Sequence, residues 1–380
     1  MVRRRIRTTV LGAAAGSLLA LFAAAPANAA TTPPSWESKA LSLHAAQRGS
    51  GKQGKGVTVA VLDSGVQQNH PALKGRVTVG PNFFKDGKGP GSSMWGRHGT
   101  AMASDVLKVA PKAHILSVRV LDEKKKRKPG ETQRYSAVAR GIDYAVEHGA
   151  DVISMSLGSS GMQIKEFDDA EMASLAAAAR KNIPVLASAG NDGDLLNDAS
   201  YPAGYPGVLA VAATKRGGSR ASFSTIRTYN DVASPGVGIE SAKKNGGYTA
   251  EAGTSPATAL ASGVVALMLS HKPQLTPVQV RSILTRTAHH PSGGRNPEVG
   301  YGQIDAAAAV RSAGSPPKVS TDAVPYTGKK RLLSSTGTPS TEHPPMQTGV
   351  LWGGIAAAVV GLAAIAWSVA LARRRRSRTA

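Results

Sequence analysis

Gly56-Val57-Thr58-Val59-Ala60-Val61-Leu62-Asp63-Ser64-Gly65-Val66 is the stretch whose reading decides the fold. Residues 57–62 are apolar or β-branched throughout. The run is too short for an ordinary helix and too apolar to face water on alternate residues, so it reads as a strand buried on both faces. Four runs of the same kind follow, over residues 114–120, 152–157, 185–188 and 208–212. Between the second and third strands, Val138, Ile142, Ala145 and Val146 recur at helical spacing, and Gly149 closes the pattern. Between the third and fourth, Met172, Leu175, Ala176 and Ala179 do the same before Pro184. Near the end, Thr276-Pro277 supplies an N-cap and a first-turn proline to a helix that carries Val280, Ile283 and Leu284 inward. Strands separated by helices of this length predict an α/β fold, doubly wound, with a mostly parallel sheet and helices on both faces.

Outward from this core, the ends of the chain have a different character. Arg3, Arg4, Arg5 and Arg7 precede an apolar stretch over 10–25 and then Pro26-Ala27-Asn28-Ala29. A basic start, a short apolar core and a small-x-small end predict a secretory signal peptide over 1–29. At the other end, residues 349–372 carry no charge, with Trp352 and Trp367 near their limits, and Arg373-Arg374-Arg375-Arg376 follows at once. Such a run at ~1.5 Å per residue is long enough for one transmembrane helix, and the basic flank assigns residues 373–380 to the cytoplasmic side. The expected localisation is therefore the cell membrane, single-pass, with the domain between the two segments outside. Residues 30–55 form an N-terminal extension, 56–312 one compact domain, and 313–348 a linker rich in Pro, Ser and Thr that cannot bury enough surface to fold.

The net charge of +22 narrows once these ends are set aside: four charges lie in the first seven residues and five in the last eight, leaving +13. That remainder could draw the domain to anionic envelope polymers, and no nucleic-acid partner is needed to explain it. The chain has no cysteine, which excludes a thiol nucleophile and any thiolate metal site.

In an open parallel sheet, active groups collect beyond the carboxyl ends of the strands. Asp63-Ser64-Gly65 stands directly after the first strand. His98-Gly99-Thr100-Ala101 is a second polar group among small neighbours. Gly253-Thr254-Ser255-Pro256-Ala257 is a third, opening an apolar run to Leu269 that reads as a helix buried in the core. Each is a weak signal alone; together, Asp, His and Ser are what acyl transfer by a serine requires. The imidazole takes the hydroxyl proton, and the carboxylate fixes the imidazole tautomer and stabilises the imidazolium. Ala187-Ser188-Ala189-Gly190-Asn191 follows another strand, and the Asn191 amide is suited to donate to a developing oxyanion beside the Ser255 backbone N–H.

The order Asp63, His98, Asn191, Ser255, spaced by 35, 93 and 64 residues, resembles that of the subtilases, subtilisin-like serine proteases. The resemblance runs over about residues 36–308, through Gly56–Val66, His98-Gly99-Thr100, Ser156-Leu157-Gly158, Asn191 and Gly253-Thr254-Ser255. It implies a serine endopeptidase domain with a catalytic triad of Asp63, His98 and Ser255, and Asn191 in the oxyanion hole. It also implies that Ser156, Leu157, Gly158, Ala189 and Gly190 bind substrate, that the substrates are proteins or peptides, and that no cofactor is used. A signal peptide, a proline-rich tether and one C-terminal membrane helix make the whole similar to the mycosins, membrane-anchored subtilases whose partners are type VII secretion components in actinobacteria.

Some positions depart from the family pattern. Ser104 stands where the family usually has Gly, and Pro256-Ala257-Thr258-Ala259 replaces Met-Ala-x-Pro after the serine. The segment from His98 to Ala110-Pro111 is too short for the calcium loop of many subtilases, so no metal site of that kind is expected. Residues 30–55 are too few for a folded inhibitory prodomain. Lys124-Lys125-Lys126-Arg127-Lys128 is either a solvated loop or a basic border to the substrate groove that favours acidic residues upstream of the cleaved bond. His70, His114, His148 and His271 read as structural or surface residues, none in zinc spacing. Two other functions stand against the protease: a non-catalytic scaffold of a secretion apparatus, and a lipase or esterase, the latter disfavoured by the missing Gly-x-Ser-x-Gly elbow.

Overall fold

The computed structural model describes residues 35–122, 136–160, 168–319 and 348–376. The signal-peptide stretch 1–29, the basic run from Lys124 to Lys128, linker residues 320–347 and the last four residues of the tail lie outside the described residues. In chain order the elements begin α1 (Trp36–Ala40), α2 (Leu43–Ser50), β1 (Thr58–Asp63), β2 (Val77–Asn82), α3 (Arg97–Val109) and β3 (His114–Arg119). They continue α4 (Ala137–Glu147), β4 (Val152–Met155), β5 (Ser159–Ser160), α5 (Asp169–Arg180), β6 (Val185–Ser188), β7 (Ser200–Tyr201) and β8 (Leu209–Thr214). The last are β9 (Asn230–Pro235), β10 (Val237–Ala242), β11 (Tyr248–Ala252), α6 (Thr254–His271), α7 (Pro277–Thr287), α8 (Ala306–Ala313) and α9 (Thr348–Arg376).

Seven strands form one sheet in the order β2-β3-β1-β4-β6-β8-β9, every neighbouring pair parallel. The period-2 geometry of β1 explains why its run is apolar without interruption. Val59 and Val61 join one core, shared with Val106, Leu260 and Val264. Ala60 and Leu62 join the other, shared with Ile142, Met172 and Leu175. The sheet is thus covered on both faces, as the sequence pattern predicts.

Two strands escape that pattern. β2 and β9 are the edges of the sheet, and neither has a continuous apolar run: β2 reads VTVGPN and β9 NDVASP. The strand expected over 152–157 stops at Met155, so Ser156, Leu157 and Gly158 leave the sheet.

α6 is the helix that positions the site. From Thr254 to Ser270 all its residues are buried except Ser255. It lies close to α3: a Cβ on Gly263 would stand 2.6 Å from Val109 Cβ, so only glycine permits the approach. α7 starts with a full capping box, Thr276 accepting from Gln279 N while Gln279 Oε1 accepts from Thr276 N, with Pro277 at its first position. Ser104, where the family pattern has glycine, ties α3 to β10 by accepting from Ala242 N at 2.8 Å.

The described part of the N-terminal extension belongs to the core. Leu41, Leu43 and Ala46 are buried with α6 and α8 residues, Trp36 Nε1 donates to Val237 O, and Gln47 Nε2 donates to Val109 O at 2.9 Å. Glu37, buried, pairs with Lys108 Nζ at 3.0 Å. At the other end, α9 exposes Trp352, Val360, Leu362 and Trp367. Among the described residues no helix is long and apolar enough to cross a membrane.

Candidate active site

Asp63 ends β1 at the carboxyl edge of the sheet and is fully buried. Its two carboxylate oxygens lie 3.0 and 2.9 Å from His98 Nδ1, and Oδ1 also accepts from Ser64 N at 2.6 Å. His98 sits in the first turn of α3 with its side chain 28% exposed, so the ring joins a buried carboxylate to the solvent side. Glycines make this approach possible. A Cβ on Gly99 would stand 2.1 Å from Gly65 O and 3.1 Å from Asp63 Cβ. Gly65, at φ +93°, faces the Trp95 indole so closely that a Cβ would meet it at 2.4 Å. The Ser64 hydroxyl accepts from Gly99 N at 3.1 Å, locking the start of α3 to the end of β1.

Ser255 and Ser156 make a reciprocal pair. Ser255 Oγ donates to Ser156 O at 3.1 Å, and Ser156 Oγ donates to Ser255 O at 2.9 Å. Asn191 Oδ1 accepts from Thr254 N at 2.8 Å and from Thr254 Oγ1 at 2.9 Å. With its oxygen so engaged, the amide offers its NH₂ as donor, beside Gly253.

A cavity of about 340 Å³ is shared by Ser255, Thr254, Asn191, Gly190, Ser188, Leu157 and Gly158, with Asp192, Asp198, Ala199 and Ser200 completing its wall. Of the residues read from sequence, the structure brings Asp63 to His98, and Ser255 into one cavity with Asn191, Leu157, Gly158 and Gly190. Ser156 is fixed to Ser255 through the two hydrogen bonds above. Ala189 does not reach the cavity: it is fully buried, its N–H donates to Val211 O and its carbonyl accepts from Tyr229 Oη. The described residues 35–55 contribute nothing to the cavity wall.

Several functional neighbours carry no signal of their own in the sequence. Thr254 stands there only as the middle residue of the serine motif, yet it fixes the Asn191 amide. Arg119, fully buried at the end of β3, donates to Ser64 O at 2.7 Å and Met94 O at 2.9 Å and pairs with Asp86 and Asp122. It braces the loop that follows Asp63 from behind. Burial alone would raise the Asp86 carboxyl, but hydrogen bonds from Asn82 and Arg119 hold it well below the usual range. No group of three or more His, Asp or Glu side chains able to hold a metal occurs among the described residues.

A family model described as the subtilase family matches residues 54–302, well over half of the chain. Subtilisin NAT of Bacillus subtilis subsp. natto is 38% identical over 260 residues, 66% of this chain and 64% of that protein. The chain thus spans just under two thirds of the length of this relative. Among solved structures, the serine protease MycP1, described as an essential component of the type VII (ESX-1) secretion system, matches with a TM-score of 0.61 and 30% identity, covering 73% of this chain and 90% of that one. The prenylagaramide maturation protease PagA matches with a TM-score of 0.61 and 27% identity, covering 70% and 98%. A family model laid over the β1 aspartate, the α3 histidine and the α6 serine has one meaning for descent: the chain belongs to the subtilase family.

Proposed function

We propose that the chain is a serine endopeptidase that cleaves exported proteins through an acyl-enzyme on Ser255. The observation that carries this reading is the Asp63–His98 pair, standing on the same sheet edge as a cavity that holds both Ser255 and Asn191. In the reaction, Ser255 Oγ leaves the Ser156 carbonyl, attacks the substrate carbonyl carbon and passes its proton to His98 Nε2. The Nδ1–H of His98 donates to Asp63, which stabilises the imidazolium without taking the proton. The oxyanion accepts from the Asn191 NH₂ and the Ser255 backbone N–H, at the positive end of α6. As the C–N bond breaks, His98 returns the proton to the leaving amine, and water activated by the same imidazole then releases the acyl group.

The test is labelling of the full chain in detergent by a fluorophosphonate probe, beside Ser255→Ala. Labelling of the native chain alone supports an activated nucleophile. A folded native chain that stays unlabelled supports instead the second reading, a scaffold within a secretion apparatus, which the likeness to MycP1 brings forward.

The same reading, carried by the sequence of residues 349–372 rather than by the described helix, makes the protein an exported one held to the cell membrane by that run, with type VII secretion components as its partners and the Arg373–Arg376 cluster inside. Support comes from the uncharged residues 349–372, the tryptophans near both limits and the basic flank. Retention in the membrane fraction after alkaline carbonate washing, lost on truncation at residue 348, is the expected result. A full chain released by carbonate would remove the anchor.

A further inference from the structure

The cavity at Ser255 is not an apolar one, and we propose that it selects substrates with lysine or arginine immediately before the cleaved bond. This rests on the endopeptidase reading above. Leu157 and Ala199 are the apolar residues on its wall; the others are glycines, serines, Thr254, Asn191 and two acidic residues, Asp192 and Asp198. Where Gly158 faces Ser200 the walls almost meet, since a Cβ on Gly158 would stand 2.1 Å from Ser200 Oγ. A branched or aromatic apolar side chain placed here would strip water from hydroxyls and carboxylates and return no hydrogen bonds. A straight-chain cation suits the slot better, with methylenes along Leu157 and Ala199 and its charge among the acidic groups.

Asp192 is also held in place. Its Oδ1 accepts from Thr225 Oγ1 and its Oδ2 from Asp198 N, each at 2.9 Å. An ionised carboxylate has about four acceptor sites, so these two bonds fix its position and leave capacity for a substrate cation. It follows Asn191 directly in the chain, which ties the cation-binding group to the oxyanion donor. Arg227, whose guanidinium donates to the Asn197 carbonyl, is not part of the cavity wall.

Fluorogenic peptides identical except for Lys, Arg, Met, Leu or Glu before the cleaved bond test the assignment on the full chain in detergent. Lys and Arg peptides should exceed the Met peptide about ten-fold in kcat/KM, with Glu slowest. Asp192→Asn and Asp198→Asn should each reduce the Lys-to-Met ratio about three-fold, the scale of a partly exposed charge pair. Preference for Met or Leu, or a ratio that neither variant moves, overturns the inference. Binding of the cleaved acyl-side peptides ending in Lys or Met to the Ser255→Ala chain, followed by fluorescence anisotropy, separates the pocket from the chemistry. Tighter binding of the Lys peptide without turnover by the native chain keeps the pocket assignment and sinks the catalytic reading; equal binding sinks the pocket assignment whatever the turnover.

Discussion

Thr254 gives both its backbone N–H and its hydroxyl to Oδ1 of Asn191. Thr254, one residue before the proposed nucleophile, thereby sets which end of the Asn191 amide is left to donate. Removing the Asn191 donor altogether should cost about 10²–10³ in kcat, the scale seen for a single oxyanion-hole donor. Thr254→Val removes one of the two bonds that orient the amide, so kcat should fall about ten-fold with KM little changed, and Thr254→Ser should restore most of it. A Thr254→Val enzyme with native kcat would show that the backbone N–H is sufficient.

Asp63 holds His98 through Nδ1 and is itself wholly buried. Asp63→Asn keeps the shape but offers an NH₂ where the imidazole N–H must donate, favouring the wrong tautomer. Turnover should fall about 10⁴-fold at neutral pH while fluorescence-monitored unfolding stays near native. Loss of folding instead would mean that the carboxylate is chiefly structural.

Gly99→Ala tests the steric basis of that pair. The added methyl would lie 2.1 Å from Gly65 O, a backbone atom that cannot step aside without moving Asp63. Destabilisation of about 2–4 kcal/mol is expected, read as a lower thermal midpoint, together with loss of turnover. A variant that unfolds at the native temperature and still cleaves peptides would refute the contact.

The central strands were legible in the sequence because burial on both faces leaves an unbroken apolar run, as at residues 57–62. β2 and β9 were not, because an edge strand tolerates Gly80, Pro81 and polar residues that a central strand excludes. The site followed a similar division. Asp63, His98, Asn191 and Ser255 stand out by residue type beside glycines and by their order along the chain. Thr254, Arg119 and Asp192 act through hydrogen bonds to residues far away in sequence, and no local pattern carries such a partnership. Ala189, read from its place beside Gly190, is buried and lies outside the cavity wall, its N–H donating to Val211 O and its carbonyl accepting from Tyr229 Oη.

Asp105 makes the stability of the fold sensitive to pH. It lies fully buried on α3, the helix that carries His98, where it meets Ser241 Oγ at 2.8 and 2.9 Å and Lys108 Nζ at 3.9 Å, with Glu37 and Glu251 adding negative charge nearby. Burial pushes its carboxyl up to about 7, against the opposing pull of Lys108 and Ser241. A carboxyl raised in this way keeps its proton in the folded chain after the unfolded chain has lost it. Between the ordinary carboxylate range and about pH 7 the folded state therefore binds more protons, and stability falls as pH rises through that window. Asp105→Asn should remove this slope, leaving the full chain in detergent more stable than native at pH 8 by an amount on the order of a few kcal/mol, and closer to native at pH 5. Thermal midpoints at the two pH values decide it: parallel shifts in native and variant would show that Asp105 ionises in the folded protein much as it does in the unfolded chain.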